Sequence, residues 1–457
     1  MIEPTGIHTA LARAAEWCEG RIEGESRVFH GVTTDSRRVI PGSLFIALHG
    51  PNHDGHDHVR AAIEKGAVAA LVEKPVVLPA EIQVPQIRVS STLAALGRLA
   101  AGWRRELATP LVAITGSNGK TTVKEMTAAI LSRKGAVLAT HGNLNNDIGV
   151  PLTLLRLTPE HRFAVVEMGA NHAGEIAYLS ELARPDASVI TNAAAAHLAG
   201  FGSLEGVARA KGEVFSGLGE SGTAVINADD DFARLWIELA GDRRVLRFGL
   251  DHEAELTASW STKADGSRLV LQLPDGEFEC RLALLGRHNV VNALAAAALA
   301  TSMGLSGDDI AAGLGSLEPV KGRLVPRAAL NGARLMDDSY NANPASLRAG
   351  IEVLAALSGR RVLALGDMGE LGDDAPALHA QAGHEARLKH IDALYATGPL
   401  ARFAAEAFGP RGRHFDTIEA LVAALRPELS PEVTVLVKGS RAARMERVVD
   451  ALAGGDA

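Results

Sequence analysis

Short apolar runs alternate with helical patterns along most of the chain, and the runs end in glycine-rich or polar turns. Between residues 108 and 250 the runs are LVAITG, AVLAT, FAVVEMG, ASVITNAA, TAVINADDD and RVLRFGL. Strands that are apolar on both faces are typical of a parallel sheet covered by helices, because both faces are then buried. The pattern therefore predicts an α/β protein whose central sheet is mainly parallel and doubly wound.

Two changes of pattern divide the chain into three expected domains, at residues 1–107, 108–318 and 319–457. Thr109-Pro110 predicts a hinge, since proline disfavours a helical conformation of the preceding residue, and the second boundary is expected near Glu318-Pro319. The outer two blocks also mix strands and helices. Within the central block, residues 256–284 alternate with a period of two and contain Asp275-Gly276, which predicts an antiparallel hairpin. Residues 286–304 predict a buried helix.

Composition and charge restrict the class of protein. The 457 residues are 47% hydrophobic and 22% charged, as expected for several globular domains. A net charge of −8 disfavours a binder of nucleic acid or of anionic membranes. No apolar stretch approaches the ~20 residues of a membrane span, and the first residues lack the apolar core of a signal peptide. We expect a cytoplasmic protein in which Cys18 and Cys280 are free thiols.

Residues 111–133 carry the most specific chemical signal, because a predicted strand, a glycine-punctuated turn and a helical pattern follow one another. The turn and helix start consist of Gly116, Ser117, Asn118, Gly119, Lys120, Thr121 and Thr122. In a P-loop the backbone N–H groups and the helix N-terminus bind phosphates, the lysine neutralises them, and the next hydroxyl holds Mg²⁺. Ile114 stands where the usual pattern has its first glycine. We expect ATP binding here; the alternative is an ordinary strand–turn–helix with a surface lysine.

Polar residues that follow the other predicted strands are further candidates, because open α/β sheets bind ligands at the carboxyl ends of strands. Glu167 ends FAVVE and is a candidate Mg²⁺ ligand. His197 lies in a glycine-bounded loop, and Lys211 lies at an apolar helix start. Each has a structural alternative: a solvated glutamate, a structural histidine, and a surface lysine whose stem packs on apolar neighbours.

A second group of candidates comes from the later part of the chain. Asn289 and Asn292 share one helical face and could contact a purine or a ribose. Arg323 follows the second domain boundary and can bind phosphate bidentately across a cleft. Residues 336–346, MDDSYNANPAS, are dense in donors and acceptors. A basic cluster is expected at a helix N-terminus after the last strand: Lys438, Ser440 and Arg441. Together these features indicate an ATP site shared between two α/β domains.

The motifs TGSNGKTT, EMG, AKGE, GRHNVVN, KGR, DDSYNANP and KGSR, in this order and spacing, resemble the Mur ligase family of bacterial cell-wall synthesis. The resemblance covers almost the whole chain, and the family's loop also lacks the usual first glycine, so Ile114 fits it. It implies an N-terminal uridine-binding α/β domain, a central P-loop domain and a C-terminal Rossmann-like α/β domain. It also implies an ATP-dependent amide ligase that uses two Mg²⁺ ions.

Within the family, DDSYNANP together with LGDMGELG at residues 365–372 resembles the members that join D-Ala-D-Ala to UDP-N-acetylmuramoyl-tripeptide (UDP-MurNAc-tripeptide). Their ATP phosphorylates the terminal carboxylate of the tripeptide, and the amine of D-Ala-D-Ala then displaces phosphate. The alternative is a family member that adds a diamino acid to UDP-MurNAc-dipeptide. Its third domain normally carries a turn similar to D-N-P-R, whereas the turn here is NANPA, residues 341–345. We expect a monomer that neither binds nucleic acid nor inserts into a membrane.

Two more distant alternatives fit less well. A folylpolyglutamate synthase-like enzyme shares the last two domains but lacks the first block. An ATP-binding regulatory module without ligase activity would not need a second metal ion, which the density of Glu167, His197 and Lys211 indicates.

Carried over residue by residue, the resemblance implies a role for each candidate. Lys120 contacts the ATP phosphates, and Arg323 assists catalysis. The metal-binding residues are Thr121, Glu167, His197 and Lys211, the lysine being carbamylated so that it carries a carboxylate-like group. Further contacts with ATP are implied for Asn289, Asn292, Arg323 and Asp338. Substrate contacts are implied for Ser36 and Arg37 near the uridine, for Asn143, Asn145 and Asn146 near the muropeptide, and for Tyr340, Asn341, Asn343, Lys438, Ser440 and Arg441 in the third domain.

Overall fold

The computed structural model describes residues 6–50, 52–79, 81–194, 198–263, 266–318 and 320–454. The first domain contains seven short strands: β1 (His8–Ala10), β2 (Arg21–Glu23), β3 (Val28–His30), β4 (Val32–Thr33), β5 (Leu44–Ile46), β6 (Ala69–Val72) and β7 (Gln86–Arg88). Its helices are α1 (Leu11–Cys18), α2 (Val59–Glu64) and α3 (Thr92–Glu106). A five-stranded sheet has the order β2-β7-β6-β5-β4, and β1 pairs with β3.

The central domain is built on a six-stranded sheet in which every pairing is parallel. Its strands are β8 (Leu111–Thr115), β9 (Val137–Ala139), β10 (Phe163–Glu167), β11 (Ala187–Ile190), β12 (Thr223–Asn227) and β13 (Arg244–Phe248). Its helices are α4 (Lys120–Leu131), α5 (Gly149–Leu154), α6 (Glu175–Ala183), α7 (Leu198–Phe201), α8 (Leu204–Gly212), α9 (Ala233–Ala240), α10 (Arg287–Ser302) and α11 (Gly307–Gly315). The sheet order is β13-β12-β11-β8-β10-β9, and all six predicted strands are confirmed. The order reverses beside β8, which places a ligand crevice at the carboxyl end of that strand.

The alternating segment at residues 256–284 forms a three-stranded antiparallel sheet, one strand more than a single hairpin. Its strands are β14 (Thr257–Lys263), β15 (Gly266–Leu273) and β16 (Gly276–Leu282). Leu273 pairs with Gly276, so Pro274 and Asp275 form the second turn. The alanine-rich helix α10 is buried along residues 289–300 except at Val291, as its composition predicts.

The third domain has a six-stranded sheet in the order β17-β18-β22-β19-β20-β21, parallel except at β17. Its strands are β17 (Val325–Ala328), β18 (Arg334–Asp338), β19 (Arg360–Gly366), β20 (Ala393–Thr397), β21 (Gly412–Phe415) and β22 (Val433–Lys438). Its helices are α12 (Pro344–Ala355), α13 (Ala375–Leu388), α14 (Ala401–Phe408), α15 (Ile418–Leu425) and α16 (Glu446–Leu452). Pro319, at the expected boundary, lies outside the described residues.

The first two domains share one apolar core, so the expected hinge at Thr109-Pro110 is wrong. Buried residues from both domains, such as Leu11 and Leu154, belong to a single cluster. Helix α3 is fixed to the central domain because the Trp103 indole donates to the Leu157 carbonyl at 3.0 Å and Arg104 Nε donates to the Ala183 carbonyl at 2.9 Å. A hinge requires few contacts across it, and this junction has many.

Trp103 provides a test of this junction, because it is only 8% exposed whereas Trp260 of β14 is 37% exposed. We expect Trp103→Ala to lower the free energy of unfolding by about 3–5 kcal/mol, through the cavity and the lost hydrogen bond. Trp260→Ala serves as the control and should cost far less. Urea unfolding followed by circular dichroism measures both, and equal midpoints would contradict the proposed role of Trp103 in the shared core.

Candidate functional site

The loop between β8 and α4 has the backbone geometry of a phosphate-binding loop. Gly116 and Gly119 have φ angles of 142° and 82°, which residues with a Cβ rarely adopt. A Cβ on Gly116 would lie 1.9 Å from Thr191 Oγ1, so the loop lies directly against the end of β11. Lys120 begins α4, and its Nζ donates to the Gly116 carbonyl at 2.6 Å, which places the ammonium over the loop.

Residues at the end of β11 hold this loop in place, and the sequence analysis did not single them out. The side chain of Asn192 accepts from Asn118 N at 3.0 Å and donates to the Asn118 carbonyl at 3.1 Å. Thr191 Oγ1 donates to the same carbonyl at 2.5 Å. The available signal was the polar ending of ASVITN, because β11 was expected in the same sheet as β8.

Glu167 ends β10 beside the loop and is only 3% exposed, so the solvated alternative is wrong. Its carboxylate accepts from Thr121 Oγ1 at 3.0 Å and from Asn145 Nδ2 at 2.8 Å. A nearly enclosed carboxylate next to a hydroxyl provides the hard oxygen donors that Mg²⁺ prefers. These residues therefore fit a Mg²⁺ site beside the phosphate loop.

Two further residues, Lys124 and Thr140, hold the backbone of Glu167 in place. No sequence pattern pointed to them. Lys124, 2% exposed in α4, donates from Nζ to the Thr140 carbonyl at 2.8 Å. The Thr140 hydroxyl in turn accepts from the backbone N–H of Glu167 at 2.9 Å. Lys124 and Thr140 thus connect α4, the helix after the phosphate loop, to Glu167, the candidate Mg²⁺ ligand. Their signal in the sequence was weak, since they act through backbone groups.

Lys211 is buried with 2% of its surface exposed, so the surface-lysine alternative is wrong. It lies in the last turn of α8 and not, as expected, at a helix start, because Ser203 caps the helix eight residues earlier. Its Nζ is 5.5 Å from the centre of the Phe201 ring. Burial, aided by the nearby positive charge of Lys120, lowers the pKa of Lys211 to about 7. His197 lies outside the described residues.

The asparagine pair of α10 faces the phosphate loop. Both residues are buried, and Asn292 Nδ2 donates to Asn289 Oδ1 at 3.2 Å while Asn289 Nδ2 donates to the Leu285 carbonyl at 2.8 Å. A Cβ on Gly119 would lie 2.4 Å from Asn292 Oδ1. These two asparagines are therefore not part of a solvated helix surface.

The third domain contacts the phosphate loop through two side chains predicted from the sequence. Arg323 Nη2 donates to Thr121 Oγ1 at 3.3 Å, and Asn343 Nδ2 donates to Asn118 Oδ1 at 2.7 Å. Asn343 also caps α12 through a reciprocal pair of bonds with Ser346, so this polar turn both caps a helix and contacts the phosphate loop. Asn118 is thus fixed by β11 on its backbone and contacted by the third domain on its side chain.

Lys438 and Asp338 form a buried ion pair at the carboxyl ends of β22 and β18. Lys438, 2% exposed, donates from Nζ to Asp338 Oδ2 at 2.5 Å and to the Asn341 carbonyl at 3.0 Å. Lys438 was expected at the substrate and Asp338 at ATP, and the ion pair brings the two together. It also fixes the start of the 339–343 turn.

Ser440 and Arg441 do not lie at the N-terminus of an α-helix, which corrects that prediction. Residues 441–443 form one 3₁₀ turn, Arg444 has a left-handed conformation, and α16 begins only at Glu446. Ser440 is buried, and its N–H donates to the Asp367 carbonyl at 2.8 Å. The Arg441 guanidinium is paired with Glu446 at 3.2 Å.

The remaining predicted substrate residues lie in surface turns of the first two domains. Arg37 is folded back on Asp35, with Nε 2.9 Å from the carboxylate, and the Ser36 carbonyl accepts from Lys65 Nζ at 3.0 Å. Asn146 accepts from Gly149 N at 2.9 Å at the start of α5, whereas Asn143 is exposed. Of this group, only Asn145 reaches the P-loop site, through Glu167.

The phosphate loop lies at the switch point of a parallel sheet, and a buried carboxylate and cations from two domains lie beside it. This arrangement defines a nucleotide site suited to phosphoryl chemistry. Three family models match successive parts of the chain. "Mur ligase family, catalytic domain" matches residues 28–104, "Mur ligase middle domain" matches 114–300, and "Mur ligase, glutamate ligase domain" matches 322–441.

Individual relatives match over nearly the full length. The chain is 47% identical over 450 residues to the UDP-N-acetylmuramoyl-tripeptide–D-alanyl-D-alanine ligase of Escherichia coli strain K12, covering 98% of both chains. A crystal structure of MurF from Acinetobacter baumannii superposes with a TM-score of 0.91 at 35% identity, covering 98% of this chain and 99% of that chain. MurF ligase from Thermotoga maritima in complex with ADP gives 0.81 at 28% identity, covering 92% and 96%. The chain belongs to the Mur ligase family.

Within the described residues, no helix is both long enough and apolar enough to cross a lipid bilayer.

Thr140 allows a test of how Glu167 is held, because its hydroxyl accepts the Glu167 N–H in a site only 1% exposed. Thr140→Val leaves that buried donor without a partner and should lower the free energy of unfolding by about 1–3 kcal/mol. It should also weaken Mg²⁺-dependent binding of ADP. Thr140→Ser retains the hydroxyl and is the matched control. If serine and valine were equally harmful in urea unfolding and Mg²⁺ titration, the hydroxyl would not be the group that holds Glu167.

Proposed function

We propose that this protein joins D-Ala-D-Ala to the terminal carboxylate of UDP-MurNAc-tripeptide, with conversion of ATP to ADP and phosphate. The full-length similarity to the Escherichia coli ligase of that name supports the substrates. The observation that carries the reaction type is the contact between Arg323 of the third domain and Thr121 beside Glu167, 3.3 Å long. It brings cations from two domains to one phosphate loop, as transfer between two anionic substrates requires.

The chemistry explains why the site needs this charge. A carboxylate reacts poorly with an amine because oxide is a poor leaving group, so the carboxylate is first converted to an acyl phosphate by the γ-phosphoryl group of ATP. The amine of D-Ala-D-Ala then attacks the acyl carbon and phosphate leaves. In this proposal Lys120 and Arg323 neutralise the phosphoryl oxygens, which lowers the repulsion between the two anions. The third domain covers the reacting groups and limits hydrolysis.

We further propose two Mg²⁺ ions, held by Thr121, Glu167, His197 and a carbamylated Lys211. When bound, Mg²⁺ screens the phosphate oxygens and orients them for in-line transfer. The enclosed oxygen donors of Thr121 and Glu167 support the first position. At the second, Lys211 as an ammonium would repel a cation, whereas its carbamate would attract one.

The environment of Lys211 supports carbamylation. Only the neutral amine attacks CO₂, and burial with the nearby charge of Lys120 lowers the pKa of Lys211 to about 7. A surface lysine is almost fully protonated at neutral pH, whereas this amine is neutral in a large fraction of molecules. The neutral amine forms a bond to the carbon of CO₂, one C–O π bond opens and the amine proton is released to solvent. The carbamate then places an anion beside Lys120, which removes the repulsion between the two lysines.

We also propose which residues contact each part of the substrates. Ser36 and Arg37 contact the uridine end, and Asn145, which also donates to Glu167, contacts the muropeptide. The third domain, which reaches the phosphate loop through Asn343, receives D-Ala-D-Ala. We also propose that the protein acts as a monomer.

Phosphate release provides the direct test of this function. With ATP and Mg²⁺, fast release of phosphate is expected only when UDP-MurNAc-tripeptide and D-Ala-D-Ala are both present. The tripeptide accepts the phosphoryl group in the first step, and the amine of D-Ala-D-Ala displaces phosphate in the second. Lys120→Ala should lower the rate at least about a hundredfold, because it removes charge stabilisation of the transferred group. Lys263→Ala, on the exposed strand β14, is the control. Fast release with UDP-MurNAc-dipeptide and a diamino acid would instead support the other branch of the family.

Carbamylation of Lys211 is tested separately with ¹³C-labelled bicarbonate. We expect a carbamate ¹³C resonance that is absent from Lys211→Ala. Activity should fall as the pH drops through about 7, because protonation removes the neutral amine, and bicarbonate should oppose that loss. Small carboxylic acids should partly restore Lys211→Ala. A wild-type protein without the resonance, yet fully active, would exclude the modification.

A further inference from the structure

We propose that Tyr340 is a positioning residue for Arg323: the face of its ring holds the guanidinium towards the phosphate loop while leaving its charge available to substrate. This inference rests on the proposed function, in which Arg323 neutralises transferred phosphate. The sequence analysis expected Tyr340 to contact substrate directly, and the two roles predict different kinetics.

The contact between the two side chains is close. The Arg323 guanidinium carbon lies 4.2 Å from the centre of the Tyr340 ring, well within the roughly 6 Å at which a cation is attracted by an aromatic face. The backbones are also joined, because Tyr340 N donates to the Gly322 carbonyl at 3.2 Å. The ring and the arginine are therefore placed by one local connection between the 320–324 turn and the end of β18.

Arg323 needs such a support because its other contact is weak. Its Nη2 donates to Thr121 Oγ1 at 3.3 Å, which is longer than a typical hydrogen bond to an ionised group. Among the described residues, no carboxylate lies within 4.0 Å of Arg323 to form a salt bridge. An arginine side chain loses about 2 kcal/mol of rotamer entropy when it is fixed, so one long hydrogen bond does little to define its position.

An aromatic face suits this task better than a carboxylate. An ion pair would fix Arg323 but would also neutralise it and occupy its N–H donors. A π-face attracts the cation and leaves the donors in the plane of the guanidinium free for phosphate oxygens. Arg441 provides a contrast within the same structure, since it lies 5.9 Å from the same ring but is paired with Glu446.

Substitutions at Tyr340 can separate the ring from the hydroxyl. Tyr340→Phe and Tyr340→Trp retain an aromatic face and should keep most of the activity. Tyr340→Leu and Tyr340→Met remove the face and should lower kcat/KM for ATP about fivefold to thirtyfold, the range of a desolvated cation–π contact. KM for D-Ala-D-Ala should change less than twofold. Thermal unfolding of each variant identifies any that fail to fold, and two variants of each kind keep the comparison possible.

A double-substitution cycle connects the effect to Arg323. In an Arg323→Gln background the guanidinium is absent, so Tyr340→Leu should cause almost no further loss of phosphate release. A tyrosine that binds D-Ala-D-Ala would cause the same loss in both backgrounds. A physical readout without turnover is the ¹⁵N relaxation of the Arg323 Nε–H group in the free protein, whose order parameter should fall in Tyr340→Leu but not in Tyr340→Phe.

Three outcomes would overturn the proposal: equal damage by Phe and Leu, an increase in KM for D-Ala-D-Ala as the main effect, or an unchanged Arg323 order parameter in Tyr340→Leu. Failure of the wild-type protein to form the amide product is a different result. It would refute the proposed function, whereas the relaxation measurement would still report whether the ring holds Arg323.

Discussion

The close approach of the loop after β8 to the end of β11 is the constraint on which the rest of the site depends. Because Gly116 has no Cβ, Thr191 and Asn192 can bond to the backbone of Asn118. The loop is then held before any phosphate binds, with its N–H groups and Lys120 at the carboxyl edge of the sheet. Preorganised donors of this kind need little rearrangement when charge develops. Asn292 packs against Gly119 of this loop, and Asn343 donates to the Asn118 side chain.

The positive charges are the second determinant of the site, and their arrangement disfavours the stability of the folded protein. Lys120 lowers the pKa of Lys211, and Arg323 adds to the lowering of the pKa of Lys120 by burial, which Glu167 opposes. Three basic side chains, Lys120, Lys211 and Arg323, thus converge where a structure selected for stability alone would place apolar or paired residues. Functional sites commonly carry such perturbed groups. Anionic ligands resolve the repulsion, so the unfavourable charge arrangement in the free protein favours binding of nucleotide and of the acyl phosphate derived from it.

The features predicted correctly from the sequence are those that depend on the local pattern of residues. The buried strands, the phosphate loop and the alanine-rich α10 follow from apolar runs and glycine positions. Lys211 was placed at the wrong end of its helix because AKGE shows no cap, whereas Ser203 supplies one upstream. The helix expected at Ser440 begins at Glu446, since the left-handed Arg444 interrupts the segment. Lys124, Thr140 and Asn192 were missed because they act through backbone groups of distant strands, and no single-sequence pattern encodes those pairings.

The different junctions between domains suggest how the reaction is enclosed. The first two domains share an apolar core, with Trp103 and Arg104 bonded across it. At the phosphate loop the third domain contributes polar contacts, Asn343 to Asn118 and Arg323 to Thr121. Polar interfaces exchange easily with water, so relative motion is expected at such a junction. Motion of the third domain away from the first two would break the contacts of Arg323 and Asn343 with the loop, and its return would restore them. In the proposed function Arg323 neutralises the phosphoryl group and belongs to the domain that excludes water, so one domain movement would couple activation of the carboxylate to its protection.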